Sequence, residues 1–314
     1  MQSSPECLRC FARQAVEAVG LCVADPARQG AILRRVTQEL AATRRQDSPP
    51  KISQHVHRVI RRETGCPDPY RIVKDRMNRM AIALLPQCRE RIAASADPRT
   101  TALRFAVAGN LLDSGAKCAA PSDDLPRLFS TVLENPLAGD PQVLFRTADQ
   151  AKQILFLADN AGEIIFDRLL VEALPVARVT VAVRGGAVLN DALAEDATLA
   201  GLADIVPVID NGSDAPGTVL EDCSAAFLHH FWNADLIVAK GQGNYETLSD
   251  VPAPVFFLFT VKCPLVAGHI GAPVGTMVAS KSAAWTPRPP RPHGQVNQNS
   301  EAPDQADVQR RDKA

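Results

Sequence analysis

Residues 1–145 carry apolar side chains at helical spacing, and this pattern predicts a bundle of helices. From Pro69 to Leu85 the apolar residues recur roughly every three or four positions, so one stripe of that helix should face a core. An Asp-Pro pair indicates a helix start, because Asp caps exposed backbone N–H groups and Pro fits the first helical position. We assign helix starts to three such pairs: Asp25-Pro26, Asp68-Pro69 and Asp97-Pro98.

Between residues 146 and 280 the pattern changes, and short β-rich apolar runs alternate with helical stretches. This alternation predicts the α/β class: a mostly parallel sheet with helices on both faces, hence a three-layer α/β/α sandwich. The predicted strands are 154–158, 178–183, 205–209, 236–239 and 255–260, and the predicted helices between them are 163–174, 191–200 and 218–231. Residues 281–314 are rich in Pro, Gln, Asn and charged residues, which predicts a disordered tail.

The composition narrows the functional classes. Lys and Arg number 34 against 35 Asp and Glu, so no overall basic field favours a nucleic-acid partner. No apolar run approaches the roughly 20 residues that a membrane helix needs, and the N-terminus lacks the apolar core of a signal peptide. We therefore expect a cytoplasmic protein whose eight cysteines are reduced thiols. The sequence does not indicate an oligomeric state.

Every predicted strand ends in polar or charged residues. In an open parallel sheet, ligands bind beyond the carboxyl ends of the strands, so these side chains should converge on one edge. The residues concerned are Asp159, Asn160, Arg184, Asn190, Asp191, Asp210, Asn211, Lys240, Gly241, Asn244, Glu246 and Lys262.

The chemistry of these residues suggests a site for a metal and a phosphate. Asp and Asn oxygens suit hard divalent cations such as Mg²⁺ or Mn²⁺. Lys240 and Lys262 can neutralise phosphate oxygens, and Gly241 allows backbone N–H groups to approach an anion. A simpler interpretation stays open, because Asp159-Asn160 and Asn190-Asp191 can each cap the helix that follows.

Four stretches carry a family resemblance: LADNAGEIIFD, VRGGAVLNDA, AKGQGNYETL and FLFTVKCPLVA. In this order and spacing they resemble the damage-control phosphatase family, also called domain of unknown function 89, over residues 5–279. The Cys-x-x-Cys pair Cys7 and Cys10 is similar to that of the prokaryotic branch. Two thiols alone cannot complete a tetrahedral zinc site, so a packed pair is the preferred interpretation.

The resemblance implies a helical N-terminal part packed on an α/β/α sandwich, with metal-dependent hydrolysis of phosphate monoesters of sugars or damaged metabolites. It places the divalent metal (Mn²⁺, Mg²⁺, Co²⁺ or Ni²⁺) on Asp159, Asn160 and Asp191. It also assigns to the same cleft Asn110, Asp113, Lys240, Gly241, Asn244, Glu246 and Lys262.

From these residues we hypothesise direct attack of a water on a small-molecule phosphate ester. Asp159 is then both metal ligand and catalytic residue, Lys240 and Lys262 balance the developing charge, and Asp113 or Glu246 orients the water. Arg184 is a further candidate phosphate ligand. The alternatives are an S-adenosylmethionine-dependent carboxyl methyltransferase and a non-catalytic phosphometabolite-binding protein. Only Gly162 is present where a methyltransferase would carry a glycine-rich loop.

Overall fold

The computed structural model describes residues 1–43, 46–109 and 133–286. Its N-terminal part is helical, as predicted. The first five helices are α1 (Cys7–Cys22), α2 (Pro26–Ala41), α3 (Pro49–Thr64), α4 (Arg71–Ala93) and α5 (Pro98–Ala108). The first three helices bury Val19, Val36 and Ile60 in a small core of their own. Helices α4 and α5 instead pack against the sheet layer.

Two of the three predicted helix starts are confirmed. Asp25 accepts hydrogen bonds from the backbone at the start of α2, and Asp97 does so at the start of α5. The prediction for Asp68-Pro69 is wrong by two residues, because α4 begins at Arg71. The Asp68 carboxylate accepts the backbone N–H of Tyr70 at 3.1 Å and so forms a turn that precedes the helix.

A mostly parallel seven-stranded sheet forms the centre of the fold. Its strands are β1 (Leu137–Gly139), β2 (Ile154–Leu157), β3 (Val179–Val183), β4 (Val208–Asp210), β5 (Leu236–Lys240), β6 (Val255–Thr260) and β7 (Met277–Lys281). They lie in the order β1-β7-β6-β5-β2-β3-β4, and the β6–β7 pair is antiparallel. The five predicted strands are present: β6 has the predicted bounds, and the other four have shifted ends. The edge strand β1 and its neighbour β7 were not predicted from the sequence.

Helices cover both faces of the sheet, which confirms the three-layer α/β/α class. The further α-helices of the described residues are α6 (Pro141–Gln150), α7 (Glu163–Glu172), α8 (Ala194–Leu199), α9 (Ala225–Asn233), α10 (Gly241–Leu248) and α11 (Pro264–Ile270). Strand β6 shows how the layers are built: Phe256 and Leu258 join the core under α4 to α7, whereas Phe257 and Phe259 join the core under α9 to α11. Strands buried on both faces explain the nearly continuous apolar runs.

The predicted boundaries fall inside elements of the sandwich. Residue 145 lies within α6, and residue 280 lies within β7. Residues 287–314, most of the predicted tail, lie outside the described residues. Within the part of the chain that the structure describes, no helix is both long enough and apolar enough to cross a bilayer.

Candidate active site

A short backbone pairing brings together the loops that follow β2 and β3. Asn160 and Asp191 form an isolated antiparallel bridge. The Ala161 N–H donates to the Asn190 carbonyl at 2.8 Å, and the Ala192 N–H donates to the Asp159 carbonyl at 2.8 Å. The three residues that the resemblance implied as metal ligands therefore lie side by side at the carboxyl edge of the sheet. We call Asp159, Asn160 and Asp191 the acidic rim.

The acidic rim lines a cavity of about 230 Å³ between the sheet edge and the N-terminal helices. Of the residues proposed from the sequence, Glu246 and Lys262 also line it. The opposite wall comes from α1 and α3, and its polar groups include Arg13, Gln14 and Ser53. Sequence reasoning did not single out these helical residues, because their approach to the sheet edge depends on tertiary packing.

Arg184 lies behind the acidic rim and does not line the cavity. Its Nε donates to Asp191 Oδ2 at 2.7 Å, and its Nη2 lies 3.6 Å from Asp159 Oδ1. The residue is 3% exposed, and Nη2 has no hydrogen-bond partner. Arg184 therefore holds the two carboxylates in place, a different role from the phosphate ligand suggested by the sequence.

The Asp159 carboxyl is crowded by negative charge. Burial raises its pKa well above the usual value, and the neighbouring carboxylates of Glu163 and Asp191 raise it further. Arg184 and Lys262 act in the opposite direction but do not compensate. The rim therefore has an excess of negative charge, which an added cation would relieve.

Gly241 makes room for the Asp159 carboxylate. A Cβ at position 241 would lie 1.9 Å from Asp159 Oδ2, and the backbone there has a φ of +77°. Both the close approach and the left-handed backbone require glycine. Gly241 thus shapes the acidic rim, whereas the sequence had suggested that it binds phosphate.

Lys240 points away from the cavity, contrary to the sequence-based expectation. Its Nζ donates to Glu163 Oε1 at 2.6 Å, to Asp167 Oδ1 at 2.5 Å and to the Ala106 carbonyl at 2.8 Å. Burial opposes its charge, but the two carboxylates prevail and raise its pKa. The three side chains are fully buried, and we call Lys240, Glu163 and Asp167 the buried triad.

The direction of Lys240 follows from strand alternation. Leu236 and Val238 face the core under α4 to α7, whereas Ile237 and Ala239 face the opposite core. Successive side chains alternate across a strand, so Lys240 continues the first series. The apolar pattern of β5 contained this information, although the sequence analysis considered only the position of Lys240 at the strand end.

Asn244 is also placed away from the cavity. Strand β5 passes directly into α10, a helix that the sequence analysis did not predict. The fully buried Asn244 donates to the Lys240 carbonyl at 2.7 Å and accepts from the Thr218 hydroxyl at 2.8 Å. These bonds tie α10 to its surroundings, and Asn244 does not line the cavity where the sequence had placed it as a phosphate ligand. Asn110 and Asp113 lie outside the described residues.

Gln242 connects the two catalytic candidates on the far side of the cavity. Its Nε2 donates to Glu246 Oε1 at 2.8 Å, and its Oε1 accepts the Lys262 backbone N–H at 2.9 Å. Burial raises the pKa of the Glu246 carboxyl to about 7, although the Gln242 bond lowers it. Glu246 is therefore poised to exchange a proton near neutral pH.

The acidic rim fits a hard divalent cation by the chemistry of its donors. Its three side chains carry two carboxylates and one amide oxygen, the ligand types that Mg²⁺ and Mn²⁺ take. Among the described residues, no three His, Cys, Asp or Glu side chains form a metal-binding group. The fit therefore depends on Asn160 as the third donor.

The cysteines do not supply another metal centre in the described part of the chain. Cys7 begins α1, and Cys7, Cys10 and Cys263 line the same cavity as the acidic rim. The seven cysteines among the described residues are free.

Comparison with known proteins identifies the family of this chain. The damage-control phosphatase ARMT1-like domain matches residues 3–278. The chain belongs to this family. Family membership supports a phosphatase role and confirms the resemblance drawn from the sequence motifs.

Several relatives of the family are similar over most of this chain. An uncharacterized protein of Methanocaldococcus jannaschii is 34% identical over 88% of this chain and 94% of its own length. A damage-control phosphatase of Archaeoglobus fulgidus is 36% identical over 73% and 81%. A damage-control phosphatase of Pyrococcus horikoshii is 30% identical over 90% and 99%. The crystal structure of a DUF89 family protein from P. horikoshii superposes with a TM-score of 0.83 at 30% identity, covering 90% of this chain and 99% of that one.

Proposed function

We propose that this protein is a metal-dependent phosphatase that hydrolyses phosphate monoesters of sugars or of damaged phosphometabolites. The observation that carries the proposal is the acidic rim, where Asp159, Asn160 and Asp191 meet beside Lys262 in one cavity. The names of the A. fulgidus and P. horikoshii relatives support the same activity.

The acidic rim is the proposed binding site for Mn²⁺, Mg²⁺, Co²⁺ or Ni²⁺. A divalent ion held there would polarise the phosphoryl group and ease deprotonation of an attacking water. Excess negative charge around Asp159 and the room left by Gly241 favour this occupancy. Arg184 keeps the Asp191 carboxylate in place through its 2.7 Å hydrogen bond.

The remaining cavity residues have roles that follow from their charge. The Lys262 ammonium is near enough to favour the ionised form of Asp159, so it can also stabilise negative charge on a phosphate bound at the rim. Glu246 can accept the proton of the attacking water, because its pKa of about 7 leaves a large ionised fraction at neutral pH. Gln242 orients the Glu246 carboxyl.

The cavity indicates a small, polar substrate. About 230 Å³ accommodates a phosphate and a compact leaving group. The wall opposite the acidic rim provides Arg13, Gln14 and Ser53, whose donors and acceptors match the hydroxyl groups of a sugar. Helices α1 and α3 therefore select the substrate in this proposal, and the sheet edge performs the chemistry.

The test is phosphate release from a panel of sugar phosphates and other phosphate monoesters, with and without each of the four metals. We expect turnover only with metal and with the intact acidic rim, so Asp159→Ala should be inactive. Metal-independent turnover, or an Asp159→Ala variant as active as wild type, would contradict the proposal. Tight binding without phosphate release would support a binding protein, and methyl transfer from S-adenosylmethionine would support the carboxyl methyltransferase.

A further inference from the structure

The buried triad is linked to the acidic rim through the amide of Asn160. The Asn160 Nδ2 donates one hydrogen to Asp159 Oδ2 at 2.7 Å and the other to Glu163 Oε2 at 3.0 Å. An amide nitrogen has two hydrogens, so both are in use. The planar amide must then present Oδ1 on the side away from these two carboxylates.

Glu163 is held in turn by the lysine beneath it. Its Oε1 accepts from Lys240 Nζ at 2.6 Å, while its Oε2 accepts from Asn160. Each carboxylate oxygen thus accepts from a different donor, which restricts rotation of the Glu163 carboxylate. The same Nζ is anchored by Asp167 and by the Ala106 carbonyl. A continuous chain of hydrogen bonds therefore runs from α5 and α7 through Lys240 and Glu163 to Asn160.

Packing adds to this restraint. A Cβ at Gly109 would lie 3.1 Å from both Cα and Cγ of Glu163, so α5 closely approaches the start of α7. From α4, the Asn78 Oδ1 accepts the Gly162 N–H at 2.6 Å. The loop that carries Asn160 is therefore clamped on both sides.

A stability role alone does not account well for the buried triad. Taking three charged groups out of water is costly, and a buried ion pair often stabilises a fold no better than apolar residues of the same size. The arrangement does, however, direct the amide group of Asn160. Residues that hydrogen-bond to a metal ligand, and so orient it, commonly affect metal affinity without contacting the metal themselves.

We infer that Lys240 and Glu163 are positioning residues that turn the Asn160 amide oxygen toward the cavity. They contact neither phosphate nor metal and act through Asn160. This inference rests on the proposed function, since it concerns the third donor of the proposed metal site.

Glu163→Gln is the sharpest test, because it preserves size but replaces one acceptor oxygen with an NH₂ group. In either orientation, that group would face a donor, Lys240 Nζ or Asn160 Nδ2. The matched control is Asp167→Asn, which is equally buried and keeps an oxygen for Lys240 but has no hydrogen bond to Asn160.

The measurement is calorimetric titration of each metal-free protein with Mn²⁺ alone. We expect Glu163→Gln to weaken Mn²⁺ binding about 10- to 100-fold and Asp167→Asn to change it less than about threefold. The double variant Lys240→Met/Asp167→Asn removes the support of Glu163 without leaving two buried carboxylates together. It should weaken binding in the same direction, and it replaces Glu163→Gln as the test if that variant fails to fold.

A second readout requires no metal. The side-chain NH₂ resonances of Asn160 should reveal two strong hydrogen bonds in the wild type and shift in Glu163→Gln. Wild-type Mn²⁺ affinity together with unshifted Asn160 resonances in Glu163→Gln would overturn the inference. Failure of the wild type to bind Mn²⁺ would instead overturn the proposed function, and the Asn160 resonances would still decide whether Glu163 orients the amide.

Discussion

Two lysines at the ends of neighbouring strands occupy opposite environments. Lys240 ends β5 and is fully buried in the triad with Glu163 and Asp167. Lys262 follows β6 and lines the cavity, where its charge acts on Asp159. In the proposed function, the Lys262 ammonium contacts the bound phosphate, whereas the Lys240 ammonium organises the protein around the site.

This difference shows how the surroundings of a charge determine its role. In the cavity, Lys262 lies where a bound molecule could reach it, which is why the proposed function gives its charge to a phosphate. In the interior, the Lys240 charge must be matched by fixed partners, because desolvation leaves no other compensation. A polar group at a strand end is therefore a site candidate only if its side chain faces the cavity.

The largest expected effect separates two aspartates, one in the cavity and one on the surface. Asp191 belongs to the acidic rim, whereas Asp210 ends β4, is exposed and bonds the Gly212 N–H at 2.9 Å. We expect Asp191→Asn to lower metal-dependent turnover on the order of 10³-fold, or about 4 kcal/mol. Asp210→Asn should stay within about twofold. Phosphate release at saturating metal measures both, and equal losses would show that location at the rim does not matter.

Substitution of Lys240 should mainly lower the stability of the fold, whereas substitution of Lys262 should mainly lower kcat. Lys240→Met leaves two buried carboxylates without a cation and should lower the free energy of unfolding by about 3–5 kcal/mol. Lys262→Met should lower it by less than about 1 kcal/mol but reduce kcat on the order of 10²-fold. Urea denaturation and steady-state kinetics measure the two effects. A Lys240→Met variant as stable as the wild type would contradict the structural role of the buried triad, and an unchanged kcat in Lys262→Met would contradict the proposed role of Lys262.

A substitution at Gly241 tests whether the acidic rim needs the space that this glycine leaves for the Asp159 carboxylate. Gly241 and Gly271 have φ values of +77° and +72°, but only at Gly241 would a Cβ meet Asp159; at Gly271 nothing lies within 4 Å. Gly271→Ala should therefore cost about 1 kcal/mol of stability from backbone strain alone. Gly241→Ala should cost about 2 kcal/mol and also weaken Mn²⁺ binding. Equal effects in denaturation and Mn²⁺ titration would argue against a shaping role for Gly241.

The smallest expected effect concerns the pH dependence of Glu246. Its pKa is raised from 4.5 to about 7, so the folded protein retains a proton that the unfolded chain loses between these values. The stability of the wild type should therefore decline as pH rises from about 4.5 to about 7.

Glu246→Gln should remove this decline in denaturation experiments at the two pH limits. It should also flatten the rise of kcat/KM through about pH 7, with a loss of about tenfold at higher pH. A variant that keeps the wild-type pH–rate profile would exclude Glu246 as the proton acceptor.

Local patterns predicted much of the sandwich. Strands buried on both faces read as apolar runs, and the Asp caps at Asp25 and Asp97 indicate real helix starts. The short edge strand β1 gave too little signal, since three partly exposed residues do not form a recognisable run.

The sequence predicted some of the residues that line the cavity and misplaced others, because it does not show which way each side chain points. Asp159, Asn160, Asp191, Glu246 and Lys262 do line one cavity. Lys240, Asn244 and Arg184 do not, because they point into the protein and bond to its interior. The importance of Glu163 and Gln242 could not be recognised without the contacts that they make across the fold.

The sequence by itself determined the class of fold, the edge of the sheet where chemistry is expected and the types of side chain available there. These depend on periodicity and on local backbone preferences, which neighbouring residues specify. Only the tertiary structure decided which polar groups face the cavity and which form the buried triad. Asn160 and Asp191 are 31 positions apart, and their pairing depends on how two loops meet above the sheet.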